Sequence, residues 1–86
     1  MRITFTSTGW ADYQWFLEHE KQILKRINLL IRDALRSPFE GIGKPEALKN
    51  DLSGYWSRRI TEEHRLVYEV TSDELVILMC KGHYES

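Results

Sequence analysis

The stretch SRRITEEHRLVYEV, residues 57–70, decides how this chain is read. Its branched and aromatic residues suit extended backbone, and the polar TEE at 61–63 reads as a turn between two strands. The second strand, over 63–71, alternates so that Leu66, Tyr68 and Val70 share one face while Arg65, Val67 and Glu69 share the other. An apolar face and a charged face on one short strand predict a sheet covered on one side only. Arg58, Arg59, His64 and Arg65 all fall in this stretch, so its charge needs an explanation beyond solubility.

Working outward, a strand over 74–81 follows the polar TSDE. Leu75, Ile77 and Met79 fall on one face, continued by Lys81 and His83, with Val76, Leu78 and Cys80 opposite. Both faces are apolar through Met79, which predicts a central position in the sheet. On the N-terminal side lies a long loop over 39–54, rich in glycine. It holds one predicted helical turn at KPEALK, where Pro45 suits a first helical position. Further back, Ile23, Ile27, Leu30, Ile31, Ala34 and Leu35 form one apolar stripe at helical spacing, ended at Ser37–Pro38. Trp10, Tyr13 and Leu17 mark an earlier helix that TSTGW can cap with a hydroxyl, and a break falls near Glu18–Glu20. Residues 2–5 read as an opening strand, and residues 54–61 as the strand before the TEE turn. The predicted order is β-α-α-β-β-β, an α+β fold with a two-helix hairpin on one face of a small, mostly antiparallel sheet. The uncovered face can hold a cleft into which Arg65 and His83 both project, beside the 39–54 loop.

Composition narrows the function. The 86 residues make one domain, 1–86, with 42% hydrophobic and 29% charged residues, which is ordinary globular composition. A formal net charge of −1 excludes nucleic-acid binding through bulk basicity, so charge must act locally. Cys80 is the only cysteine and no apolar run approaches the roughly 20 residues that span a bilayer, so a reduced, cytoplasmic setting without membrane attachment is expected. His19, His64 and His83 lack metal-ligand spacing, and no phosphate-loop or nucleophile-elbow pattern occurs, so no cofactor is expected. The Arg, Lys, Glu, His and Tyr of the C-terminal half suit phosphodiester cleavage without a metal. One group takes a 2′-hydroxyl proton, another protonates the leaving oxygen, and arginine stabilises the charge on the phosphoryl oxygens.

The run SPFEGIGKPEALKNDLSGYWSRRITEEHRLVYEV at 37–70, then CKGHY at 80–84, together with Trp10, Tyr13 and the second helix, resembles the YoeB-type toxins of bacterial toxin–antitoxin pairs, in the RelE-like superfamily. The resemblance implies the RelE-like fold and a ribosome-dependent endoribonuclease that cuts mRNA in the decoding A site without a metal. It leaves a 2′,3′-cyclic phosphate and a 5′-hydroxyl. It assigns Glu46 as general base, Arg65 as the transition-state arginine and His83 as general acid, with Lys49, Arg59 and Tyr84 on the substrate. It also implies a YefM-like antitoxin as partner and a homodimer. Relatives commonly stop at the His-Tyr pair, whereas Glu85 and Ser86 follow here, and Gly82 stands where some carry an aromatic.

Competing readings follow from the same residues. Glu46 after Pro45 suits a carboxylate favouring a helix N-terminus. Arg65 suits a cross-strand ion pair, Arg58 a structural role, and His64 the edge of the core. Lys21, Lys25, Arg26, Arg32 and Arg36 on the second helix suit either a solvated face or contact with ribosomal RNA. The functional alternative is a toxin-fold protein that acts by binding alone, as a gyrase poison or an antitoxin-binding corepressor.

Overall fold

The structure is a computed structural model and describes residues 1–83. Strand β1 (Arg2–Phe5) runs directly into helix α1 (Ser7–His19). Thr6 makes that turn: its hydroxyl oxygen accepts the Gly9 N–H at 3.0 Å and donates to the Leu78 carbonyl at 2.8 Å. Helix α2 (Lys21–Arg36) follows after Glu20 alone and stops at Ser37, as the Ser-Pro pair dictates. Leu24, Ile27, Leu30, Ile31 and Ala34 are buried along its inner face. Leu24 takes the place expected of Ile23, which is only half-buried. In α1 the fully buried side chain is Phe16, while Trp10 and Leu17 are exposed.

The sheet has five strands in the order β1-β5-β4-β3-β2. These are β2 (Glu46–Ala47), β3 (Trp56–Arg59), β4 (Arg65–Val70) and β5 (Glu74–Met79), beside β1. Strand β1 runs parallel to β5, and every other pairing is antiparallel. Strand β5 is therefore internal, as its two apolar faces predict. Phe16, Ile27, Leu30, Leu66, Tyr68, Leu75, Ile77 and Cys80 lie wholly out of water between helices and sheet. Each large aliphatic side chain buried this way contributes about 1.5–3 kcal/mol. Gly9 lets α1 approach β5: a Cβ there would lie 2.4 Å from the Ile77 carbonyl oxygen.

Two expectations are corrected. KPEALK is not helical. Glu46 and Ala47 pair with Ser57 and Trp56 as a fifth strand, and a 3₁₀ turn follows at Asn50–Leu52. Lys44 and Asn50, at φ 52 and 57, bracket the segment in left-handed backbone that no α-helix contains. The strict alternation of β5 also breaks. Val67 pairs with Met79 but Tyr68 pairs with Ile77, so Leu78 is an extra residue in a bulge. The bulge inverts the phase. Cys80 joins Ile77 in the core, while Leu78 and Met79 both border a groove on the uncovered face with Val67.

Arg58 shows where part of the charge in 57–70 goes. It points into the core face and has no exposure. Its Nε donates to the Tyr68 hydroxyl at 3.0 Å, Nη1 to Asp33 Oδ2 at 2.6 Å and the Ile42 carbonyl at 3.1 Å, and Nη2 to the carbonyls of Ser37 and Glu40 at 2.6 and 2.9 Å. The Tyr68 hydroxyl in turn donates to the Pro38 carbonyl at 2.7 Å. The guanidinium thus satisfies every donor and folds the 37–42 loop around itself.

Candidate active site

Register fixes which side chains share the uncovered face. Glu46 is opposite Ser57, Ser57 is two residues from Arg59, and Arg59 is opposite Arg65. Paired residues and alternate residues point the same way, so all four leave the sheet on the side away from the helices. Arg58, one residue out of phase, goes to the core. Lys44, Pro45, Glu46, Ser57, Arg59 and Arg65 line one cleft of about 280 Å³. Three cationic side chains against a single carboxylate give the lining an excess of positive charge.

Local structure holds these groups. The Arg59 N–H donates to the Gly43 carbonyl at 2.6 Å, which ties the 43–46 segment to β3. Arg65 Nη1 donates to the carbonyls of Thr61, Glu62 and His64 at 2.5, 3.1 and 3.1 Å, so one arm of its fork is pinned by the β3–β4 turn. That turn is closed by Thr61, whose hydroxyl oxygen accepts the N–H groups of Glu63 and His64, both at 3.1 Å. Arg59 and Arg65 are opposed across the strands, an arrangement of like charges that costs stability unless something negative lies between them.

The other expected site residues are placed as follows. His83 is exposed and comes one residue after Gly82, whose carbonyl accepts the Arg65 N–H at 3.0 Å. It starts beside Arg65 but is not among the residues that line the cleft. Lys49 is exposed between β2 and the 3₁₀ turn and does not line it either. Tyr84 lies outside the described residues. His64 is a core-edge residue, 7% exposed, edge-on to Phe16 with centroids 5.0 Å apart. Lys44 and Ser57 belong to the cleft without having been singled out, and the pairing of β2 with β3 is what brings them there. Among the described residues, no group of three or more His, Cys, Asp or Glu could hold a metal ion, and no helix is long and apolar enough to cross a membrane.

Residues 5–84 match the family model described as the YoeB-like toxin of bacterial type II toxin–antitoxin systems. The chain belongs to this family. Toxin YoeB of Streptomyces coelicolor is 61% identical over 84 residues, which is 98% of this chain and 100% of that protein. The YoeB/ParE toxin of Agrobacterium tumefaciens superposes with a TM-score of 0.95 at 46% identity, covering 98% of this chain and 100% of that one. YoeB of Staphylococcus aureus, 47% identical with 98% of both chains covered, has been solved as a dimer and in a heterotetrameric complex with YefM, with TM-scores of 0.91 and 0.90. As a member it is the toxin component of a type II toxin–antitoxin system, on the RelE-like fold expected from its element order.

Proposed function

We propose that this toxin is an endoribonuclease that cleaves mRNA in the ribosomal A site by acid–base chemistry. The observation that carries the reading is the opposed pair Arg59 and Arg65 with Glu46 in the same cleft. Two guanidinium groups presented from opposed strands suit the non-bridging oxygens of a phosphodiester, whose charge rises as a fifth oxygen approaches. Glu46 takes the proton from the 2′-hydroxyl, and the 2′-oxygen forms its bond to phosphorus. The bond from phosphorus to the 5′-oxygen breaks, and His83 supplies the proton that oxygen needs. The products are a 2′,3′-cyclic phosphate and a 5′-hydroxyl. Lys49 and Tyr84 act on the flanking nucleotides, through charge and stacking.

The ribosome supplies much of the positioning, because a protein of net charge −1 gains little from free RNA. The cationic residues of α2 suit ribosomal RNA as a surface. A YefM-like antitoxin is the proposed partner, a homodimer the proposed assembly, and the cytoplasm the proposed location. Support for the first two comes from the dimer and complex of the S. aureus relative.

The test is to map mRNA 5′ ends in a translating extract with wild type, Arg65→Ala and His83→Ala. Cleavage by wild type that leaves 5′-hydroxyl ends, and its loss in both variants, supports the reading. Translation arrest without new ends, or full cleavage by His83→Ala, overturns the mechanism. A supercoiling assay with gyrase separates the toxin-fold alternative that acts by binding alone.

A further inference from the structure

Three consecutive residues after β5 are each tied to another part of the fold. The Cys80 N–H donates to Asp12 Oδ2 on α1 at 3.1 Å. The Lys81 ammonium lies 4.6 Å from the centre of the Trp15 ring, also on α1. Gly82 is held through both of its backbone polar groups: its N–H donates to His64 Nδ1 at 2.8 Å, and its carbonyl accepts the Arg65 N–H at 3.0 Å. Its φ of +84 lies in the left-handed region, where the backbone turns against its usual sense at the residue before His83. No strand pairing holds this segment, so these contacts fix where residue 83 begins.

His64 makes the decisive contact. Its buried ring packs against Phe16, and its Nε2 lies 3.7 Å from Glu63 Oε1. A backbone N–H aimed at Nδ1 requires a lone pair there, so in this contact the ring proton sits on Nε2. An apolar side chain at 64 would fill the same space against Phe16 but leave the Gly82 N–H unanswered. His64 and Arg65 are adjacent, so the backbone that presents the cleft arginine is the one that grips the residue before His83.

We propose that His64 is a positioning residue: its Nδ1 lone pair latches Gly82 and so holds His83 beside Arg65 for proton delivery to the leaving oxygen. This rests on the ribonuclease reading given above. Near-attack geometry is steeply sensitive to displacement, so loss of the latch acts on the chemical step and spares binding.

The experiment is single-turnover cleavage on mRNA-programmed ribosomes at saturating toxin, with ribosome affinity and the amide hydrogen exchange of Gly82 measured on the same proteins. His64→Leu is expected to slow cleavage about tenfold, leave affinity unchanged and speed Gly82 exchange. His64→Asn, which returns an acceptor near the Nδ1 position, is expected to recover most of both effects. Gly82→Ala leaves the His64 ring in place, and its added Cβ meets nothing within 4 Å, so it perturbs only the left-handed turn. It is expected to slow cleavage likewise and serves if His64→Leu fails to fold. Cleavage at the wild-type rate by folded His64→Leu, or by Gly82→Ala, would overturn the proposal. So would a cleavage loss in His64→Leu with Gly82 exchange unchanged. Failure of the wild type to cut defeats the ribonuclease reading instead. In that event faster Gly82 exchange in His64→Leu still supports the latch, and unchanged exchange removes it.

Discussion

Nη1 of Arg58 donates to Oδ2 of Asp33 at 2.6 Å, from a guanidinium with no exposure to solvent. The same group holds the carbonyls of Ser37, Glu40 and Ile42. It therefore supplies the donors for three carbonyls of the 37–42 loop. Arg58→Met keeps the volume and removes every donor. It is expected to destabilise the fold by about 3–5 kcal/mol, the usual cost of stripping one partner from a buried charged network. Denaturant unfolding checks this, and a loss below about 1 kcal/mol would show that water takes over the role of the guanidinium.

Tyr68 is the second support of that network. Burial raises its pKa above the ordinary phenol value of 10.0, so the hydroxyl stays protonated and can donate to Pro38. Tyr68→Phe is expected to cost about 1–3 kcal/mol by leaving the Pro38 carbonyl and Arg58 Nε unsatisfied. Combined with Arg58→Met it should add less than the sum, since the two residues share one network.

Asp33 sets an acid limit on stability. The hydrogen bond from Arg58, then that from the Ile42 N–H, holds its carboxyl below the ordinary value of 3.8. A lowered native pKa means stability that is present above the unfolded value and lost as the pH falls through the native one. The stability gap between wild type and Asp33→Asn should therefore be constant near neutrality and narrow from roughly pH 5 downward. Thermal unfolding across that range is the measurement. A gap that does not change with pH would place the acid sensitivity elsewhere.

The Cys80 thiol is pushed up to about 12 by burial and by the nearby Asp12 carboxylate. Thiolate is the reactive form, so native protein at pH 8 should resist alkylation by iodoacetamide and react fully once unfolded. Rapid labelling of the native protein would mean that the end of β5 opens readily.

The cleft should show a trade of stability against activity. Arg59→Thr removes the like-charge opposition to Arg65, so its melting temperature should equal or exceed that of wild type while ribosome-dependent cleavage falls. Glu46→Gln should fold normally and lose about 10²–10⁴-fold in single-turnover rate. A Glu46→Gln protein that cuts at full rate would require another base.

Much of the fold is legible in local pattern. The α2 stripe, the hydroxyl at Thr6 and the Ser37–Pro38 stop are short-range signals, and each lies where helix physics puts it. The segment around Glu46 is misread for a physical reason. Proline followed by Glu, Ala, Leu and Lys has helical propensity, but the backbone at Lys44 and Asn50 is left-handed and the pairing with β3 overrides propensity. The Leu78 bulge is invisible in the sequence, because an extra residue changes the phase of alternation without any marking residue. The charge pattern of 57–70 separates Arg58 from Arg59 correctly, since alternation alone puts them on opposite faces. That Glu46 and Arg65 share a cleft is not readable from spacing. It depends on the pairing of β2 with β3 and of β3 with β4, and only the family resemblance anticipates it.

The parallel partnership of Arg2–Phe5 with residues 74–77 has a temporal consequence. Strand β1 has no neighbour until β5 emerges, since among the described residues its other edge meets no strand of the sheet. A nascent chain stalled before residue 74 would hold two helices and an incomplete sheet, with Gly82 and the carbonyl it offers to Arg65 still unmade. Strand β1 thus stays unpaired until β5 is made, and the Gly82 contact to Arg65 follows later still.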